Sequence, residues 1–144
     1  MRLIETQIDI AAPVSRVWGV LTDFGAYPDW NPFITDITGQ LQVGARLRVR
    51  IQPPGRPAMT FKPEVLTVSR NKALRWRGRL LFPGLFDGEH SFRISEKGHT
   101  CRFYQSERFT GLLVPMMGQG LWTATQRGFD EMNAALKTRA ETRS

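Results

Sequence analysis

Three residues carry most of the polar chemistry in the second half of the chain: His90, Gln105 and Glu107. In the stretch from Gly88 to Ile94, His90 falls on the same alternate positions as Phe92 and Ile94. In the stretch from Cys101 to Phe109, Gln105 and Glu107 alternate in step with Cys101 and Phe103. Side chains of a strand point to opposite faces in turn, so companions as apolar as these predict that both sets point inward. A histidine and a carboxylate within reach of each other are the parts of a general acid–base pair. They are equally the parts of a buried, mutually satisfied polar pair, or of a fixture that orients one end of a ligand. A bulge in either strand would reverse the assignment.

Other reactive types are sparse. His99 adjoins the Lys97-Gly98 turn and is expected in solvent, and neither histidine stands at zinc-ligand spacing with Cys101. No glycine-rich run leads into a Lys-Ser/Thr pair, so no phosphate loop is expected. No metal site is therefore predicted. Cys101 is the sole cysteine, which excludes an intrachain disulfide. Its parity with Phe103 predicts a buried, inert thiol. Trp30, Trp76 and Trp122 suit either a core or the wall of an apolar pocket. Met59, Phe61, Met116, Met117 and Met132 add adaptable apolar surface. Tyr27 and Asn31 are expected near a cavity mouth.

The elements that position these residues follow from periodicity. Glu5 to Ile10 alternates and reads as a strand, ended by Ala11-Ala12-Pro13. Val14, Val17, Trp18 and Leu21 then make one helical stripe that ends near Phe24-Gly25. The aromatic segment Tyr27 to Phe33, broken by Pro28 and Pro32, predicts a short helical turn and a loop. Six strands are expected next: Ile34–Thr38, Arg46–Gln52, Met59–Ser69, Lys72–Leu80, Phe86–Ser95 and Thr100–Phe109. Pro63 marks a bulge or an edge in the third of these. From about Leu112 to Thr138 the period becomes helical, with Met117, Leu121, Trp122, Phe129 and Leu136 on one stripe. Strands in series followed by one long helix indicate an α+β fold with an antiparallel sheet. A sheet of seven strands curls, and the last helix is the element left to cover its concave face.

Composition agrees with a single domain spanning residues 1–144, with its core at about 3–137. The chain has 144 residues, of which 41% are hydrophobic, and no run approaches the length of a membrane span. No secretory leader is recognised at the N-terminus, and a cytoplasmic location is expected. The net charge of +7 admits an anionic partner. Arg46, Arg48, Arg50, Arg75, Arg77 and Arg79 alternate with apolar residues on expected strands, which places them on an outer sheet face. That pattern predicts a solvated basic surface; no nucleic acid is expected, and weak contact with an anionic membrane is the alternative.

Several motifs, taken in order, resemble the START-like SRPBCC superfamily, in its polyketide cyclase/dehydrase-like branch. They are Ile8-Asp9-Ile10-Ala11-Ala12-Pro13 with Val17-Trp18 and Leu21-Thr22-Asp23-Phe24, then Tyr27 to Phe33, then Glu89-His90-Ser91-Phe92, and Glu107 to Leu112. The resemblance implies a helix-grip fold: a curved seven-stranded antiparallel sheet around a long C-terminal helix, with two short helices between strands 1 and 2. It also implies a cavity for a lipid, polyketide or aromatic molecule, with no metal or cofactor needed. The residues expected around that ligand are Trp30, Phe61, Trp76, His90, Phe92 and Phe103, with Gln105, Glu107, Met117, Leu121 and Trp122. Ligand binding is the preferred reading. The alternatives are a cofactor-independent cyclase or dehydratase using His90 and Glu107, and an interaction domain using the basic face. The protein is expected to be a monomer or a homodimer.

Overall fold

A computed structural model describes residues 1–80 and 82–142. Strand β1 (Arg2–Ile10) leads into helix α1 (Val14–Thr22), a 3-10 turn (Phe24–Ala26) and the short helix α2 (Tyr27–Trp30). Strands β2 (Ile34–Thr38), β3 (Arg48–Ile51), β4 (Met59–Phe61), β5 (Glu64–Ser69), β6 (Ala73–Arg79), β7 (Asp87–Lys97) and β8 (Thr100–Thr110) follow. A second 3-10 turn (Val114–Met116) precedes the long helix α3 (Gln119–Thr142).

The strands form two antiparallel sheets, in the orders β1-β8-β7-β6-β5 and β2-β3-β4. Met59 to Ser69 is therefore two strands, and the described residues form eight strands where seven were expected. Pro63 is the reason: lacking an N–H, it cannot continue a ladder, and the chain passes from one sheet to the other there. Backbone bonds bridge the corner, from Leu47 N–H to the Pro63 carbonyl at 2.9 Å and from Val65 N–H to the Ala45 carbonyl at 2.9 Å. The two sheets so joined make one curved surface around α3.

Helix α3 begins later than Leu112. Gly111 takes a φ of 120°, a conformation that only glycine adopts readily, and its neighbours bond back to the Gly84–Leu85 loop. Met117 consequently lies ahead of the helix and not on it. Trp122, Thr125, Phe129, Met132, Asn133, Leu136 and Ala140 form the buried face of α3. Gly128 lets the helix backbone meet the Phe33 ring: a Cβ there would lie 2.3 Å from that ring.

The six arginines do not lie on one sheet. Arg75, Arg77 and Arg79 belong to β6, where Arg75 pairs with Glu89, Arg77 stands opposite Glu64 and Glu89, and Arg79 approaches Asp87 at 3.9 Å. Arg48 and Arg50 lie on β3 in the other sheet, beside Arg46. Acidic neighbours thus offset the arginines of the larger sheet.

Candidate functional site

Strands β7 and β8 pair without a register shift, so the alternation read from sequence is kept along both. One cross-strand row on the concave face contains Trp76, His90 and Glu107 in β6, β7 and β8. The next row toward the open end contains Gly78, Gly88 and Phe109, and the row toward the closed end contains Leu74, Phe92 and Gln105. Bulk increases from the glycine row to the phenylalanine row, which leaves a hollow above His90 and a packed core below it.

His90 is 1% exposed, and both its ring nitrogens meet oxygen atoms. Nδ1 lies 3.2 Å from Glu107 Oε1, and Nε2 lies 2.9 Å from Gln105 Oε1. Gln105 Nε2 donates to Asn133 Oδ1 at 2.8 Å, Asn133 Nδ2 donates to Thr6 Oγ1 at 2.8 Å, and Thr6 donates to the Gln105 carbonyl at 2.8 Å. This chain satisfies polar groups that would each cost about 1–3 kcal/mol if buried alone. It also ties β1, β7, β8 and α3 together around one imidazole.

Above the row lies a cavity of about 350 Å³. Its walls are apolar and largely aromatic: Phe33, Phe61, Trp76, Phe86, Phe109 and Trp122, with Val49, Ile51, Met117 and Leu121. Glu107, His90 and Thr125 contribute polar atoms on the inside. Arg56, Met59, Arg79 and Leu80 border the cavity and are exposed, which locates its mouth.

Of the residues expected around a ligand, Phe61, Trp76, His90, Glu107, Met117, Leu121 and Trp122 border this cavity. The other four do not. Gln105 lies beneath His90 and is fully buried. Phe92 and Phe103 pack on each other with ring centres 5.9 Å apart, in the core below. Trp30 is half-buried on α2 against Tyr27, 5.2 Å away. Tyr27 is not at the mouth: it is fully buried, its hydroxyl donates to the Leu21 carbonyl, and burial raises that hydroxyl far above the usual tyrosine range. Asn31 is buried too, and its Oδ1 accepts the N–H groups of Phe33 and Ile34 in a turn.

Several residues of the site were not singled out from the sequence. Gly78 and Gly88 stand inside strands, a position that signals close approach of another group. At Gly88 that group is the Glu107 carboxylate: a Cβ would lie 2.4 Å from Oε2. Asn133 interrupts the apolar stripe of α3, the sign of a buried polar partner. Phe33 and Arg56 come from loops, for which periodicity has no signal.

Cys101 is a buried free thiol, raised above the usual cysteine range by burial first and by the charge of Asp9 second. No group of three or more His, Cys, Asp and Glu stands together as a metal site among the described residues. No described helix is long and apolar enough to cross a membrane.

A family model described as polyketide cyclase / dehydrase and lipid transport matches residues 1–141. No curated protein matches the chain. Among solved structures, the chain is similar to the Zhui aromatase/cyclase from a Streptomyces species, with 18% identity, a TM-score of 0.76, and coverage of 97% of this chain and 93% of that one. It is similar to a START superfamily protein from Mycobacterium smegmatis, with 19% identity, a TM-score of 0.76, and coverage of 96% and 97%. It is also similar to a norcoclaurine synthase from Thalictrum, solved with a transition-state analogue, with 15% identity, a TM-score of 0.65, and coverage of 96% and 93%. At these identities the likeness is one of fold.

Proposed function

The chain belongs to the polyketide cyclase / dehydrase and lipid transport family, of the START-like SRPBCC superfamily, and on that premise we propose that it binds one small hydrophobic or amphipathic molecule between its curved sheet and α3. The observation that carries this reading is the cavity of about 350 Å³ with aromatic walls and a few polar residues, His90, Glu107 and Thr125, on its inside. Drug-sized ligands occupy sites of roughly 300–1,000 Å³ that combine apolar walls with a few placed polar groups. Trp122 supplies one wall from α3, with its ring 4.9 Å from Phe109. Trp76 supplies another from β6.

Native mass spectrometry of gently purified protein, before and after collisional activation, tests the reading. A discrete apolar adduct that leaves on activation is the expected result. Uptake of an added apolar probe by wild type should weaken in Trp122→Ala. Equal uptake by a folded Trp122→Ala protein would remove this cavity as the site.

A second reading is acid–base chemistry on the bound molecule. It is favoured by the Nδ1–Oε1 distance of 3.2 Å between His90 and Glu107, with Glu107 bordering the cavity. In that scheme Glu107 touches the ligand and His90 shares its proton from behind. Unchanged turnover of an identified substrate by His90→Ala would exclude it.

A further inference from the structure

The polar chain behind the cavity has a direction, and its direction constrains what the cavity recognises. Thr6 has one hydroxyl proton and gives it to the Gln105 carbonyl, which can only accept. The Thr6 oxygen must then accept from Asn133, so Asn133 presents its Nδ2 there and turns its Oδ1 to Gln105. Gln105 must present Nε2 to Asn133, an orientation that also aims this nitrogen at the Phe129 carbonyl, 3.5 Å away. Gln105 Oε1 is left facing His90 Nε2, which therefore carries a proton. Only Nδ1 remains to share a proton with Glu107 Oε1.

Wherever that shared proton rests, on Nδ1 or on Oε1, the second carboxyl oxygen of Glu107 has none. This oxygen, Oε2, lies over Gly88 at the cavity wall, and no donor of the described residues reaches it. It is a hydrogen-bond acceptor facing a hollow whose other inner polar groups are engaged, His90 with Gln105 and Glu107 and the Thr125 hydroxyl with the Leu121 carbonyl. With the proton that makes the Nδ1–Oε1 contact a hydrogen bond, imidazolium with carboxylate and imidazole with carboxylic acid are both neutral as a pair. At this inner end, with Arg56 and Arg79 at the mouth, a cation would find no net charge to compensate its desolvation, and an anion would face a bare oxygen. A neutral hydroxyl or N–H fits both constraints.

Resting on the ligand-binding reading above, we infer that the cavity selects apolar ring-type molecules that carry a neutral hydrogen-bond donor, received by Glu107 Oε2. Thr6, Gln105 and Asn133 are positioning residues, which fix the His90 tautomer and through it the free oxygen. A site built to receive a hydroxyl discriminates against the isostere lacking it, because its own buried group is then unpaired.

The test compares 2-naphthol with 2-methylnaphthalene, near-isosteres that differ in the donor, by quenching of tryptophan fluorescence. The quantity read is the ratio of their two affinities. In Glu107→Met this ratio should fall roughly tenfold from wild type, the worth of one hydrogen bond to a charged or polarised acceptor. Glu107→Gln should keep the wild-type ratio within about threefold, because its amide can donate to the bare Nδ1 and leave its oxygen over Gly88. A Glu107→Met ratio equal to wild type would overturn the inference. Loss of the ratio in Glu107→Gln would overturn the tautomer, since the opposite one turns the amide nitrogen to the cavity. If wild type binds both probes equally in every variant, ligand binding stands and donor selection falls. If wild type binds neither, both fall. Should Glu107→Met not fold, Gly88→Ala displaces Oε2 by another route, and the same ratio is read.

Discussion

Gly78 and Gly88 are cross-strand partners facing one cavity, yet a methyl group would meet different neighbours at each. At Gly78 the nearest atom to an added Cβ is Pro63 Cβ at 3.9 Å, an ordinary contact. Gly78→Ala should therefore be accepted and should raise stability by about 0.4–1 kcal/mol, because the unfolded chain loses freedom. The expected observation is a higher urea midpoint at unchanged m-value; a lower midpoint would mean that the strand needs the glycine for its backbone. At Gly88 the colliding atom is Glu107 Oε2, the end of a flexible side chain. Gly88→Ala should fold, and its 2-naphthol to 2-methylnaphthalene ratio should fall as the carboxylate is pushed aside. This is also the scale at which the site was partly legible. Alternation is a local rule, and it placed His90 and Glu107 on one face because no bulge intervenes between β7 and β8. Depth along a strand has no such rule: Phe92 and Phe103 share that face and lie in the core, one and two rows below His90.

Among the elements, the C-terminal end of α3 is fastened to the start of the chain. Glu141 accepts the Ala11 N–H at 2.7 Å and a bond from Lys137 at 2.6 Å, while Lys137 also donates to the Asp9 carbonyl at 2.9 Å. Lys137 first and the Ala11 amide second hold the Glu141 carboxyl below its usual range. The native state thus releases this proton more readily than the unfolded chain does. The stabilisation is present above the ordinary carboxylate range and is lost as pH falls through the lowered native value. Glu141→Gln should melt below wild type at neutral pH, and the two melting curves should converge in acid. A gap that stays constant with pH would assign the effect to packing. The elements themselves were legible where periodicity was strong, as in β1, α1, β6, β7 and β8. Met59 to Ser69 read as one strand because both halves alternate, and only the resolved turn at Pro63 shows the change of sheet. The start of α3 was misplaced because Met117 stands four residues before Leu121, in step with the helical stripe, and Pro115 is tolerable in a first helical turn, while Gly111 and Gly118 bound a separate turn.

In the whole molecule, the cavity is a place where close packing stops. Its walls come from both sheets, from α3 and from the loops between them, so no single element can collapse to fill it. Side chains that border a void lack partners on one side and forgo dispersion contacts there. A molecule that enters restores them, and it binds the native state alone, because the unfolded chain has no cavity. Stability should then rise by about 2.7 kcal/mol at a ligand concentration 100 times the dissociation constant. For a domain of this size that corresponds to a melting temperature higher by roughly 6–10 °C. With 2-naphthol as the ligand, the rise should be present in wild type and grow with the logarithm of concentration. Gly78→Leu serves as the control, since its Cβ would meet only Pro63, at 3.9 Å, and its side chain would extend from β6 into the hollow. That variant should keep a cooperative transition and lose the dependence on 2-naphthol. A rise of equal size in Gly78→Leu would place binding elsewhere on the surface.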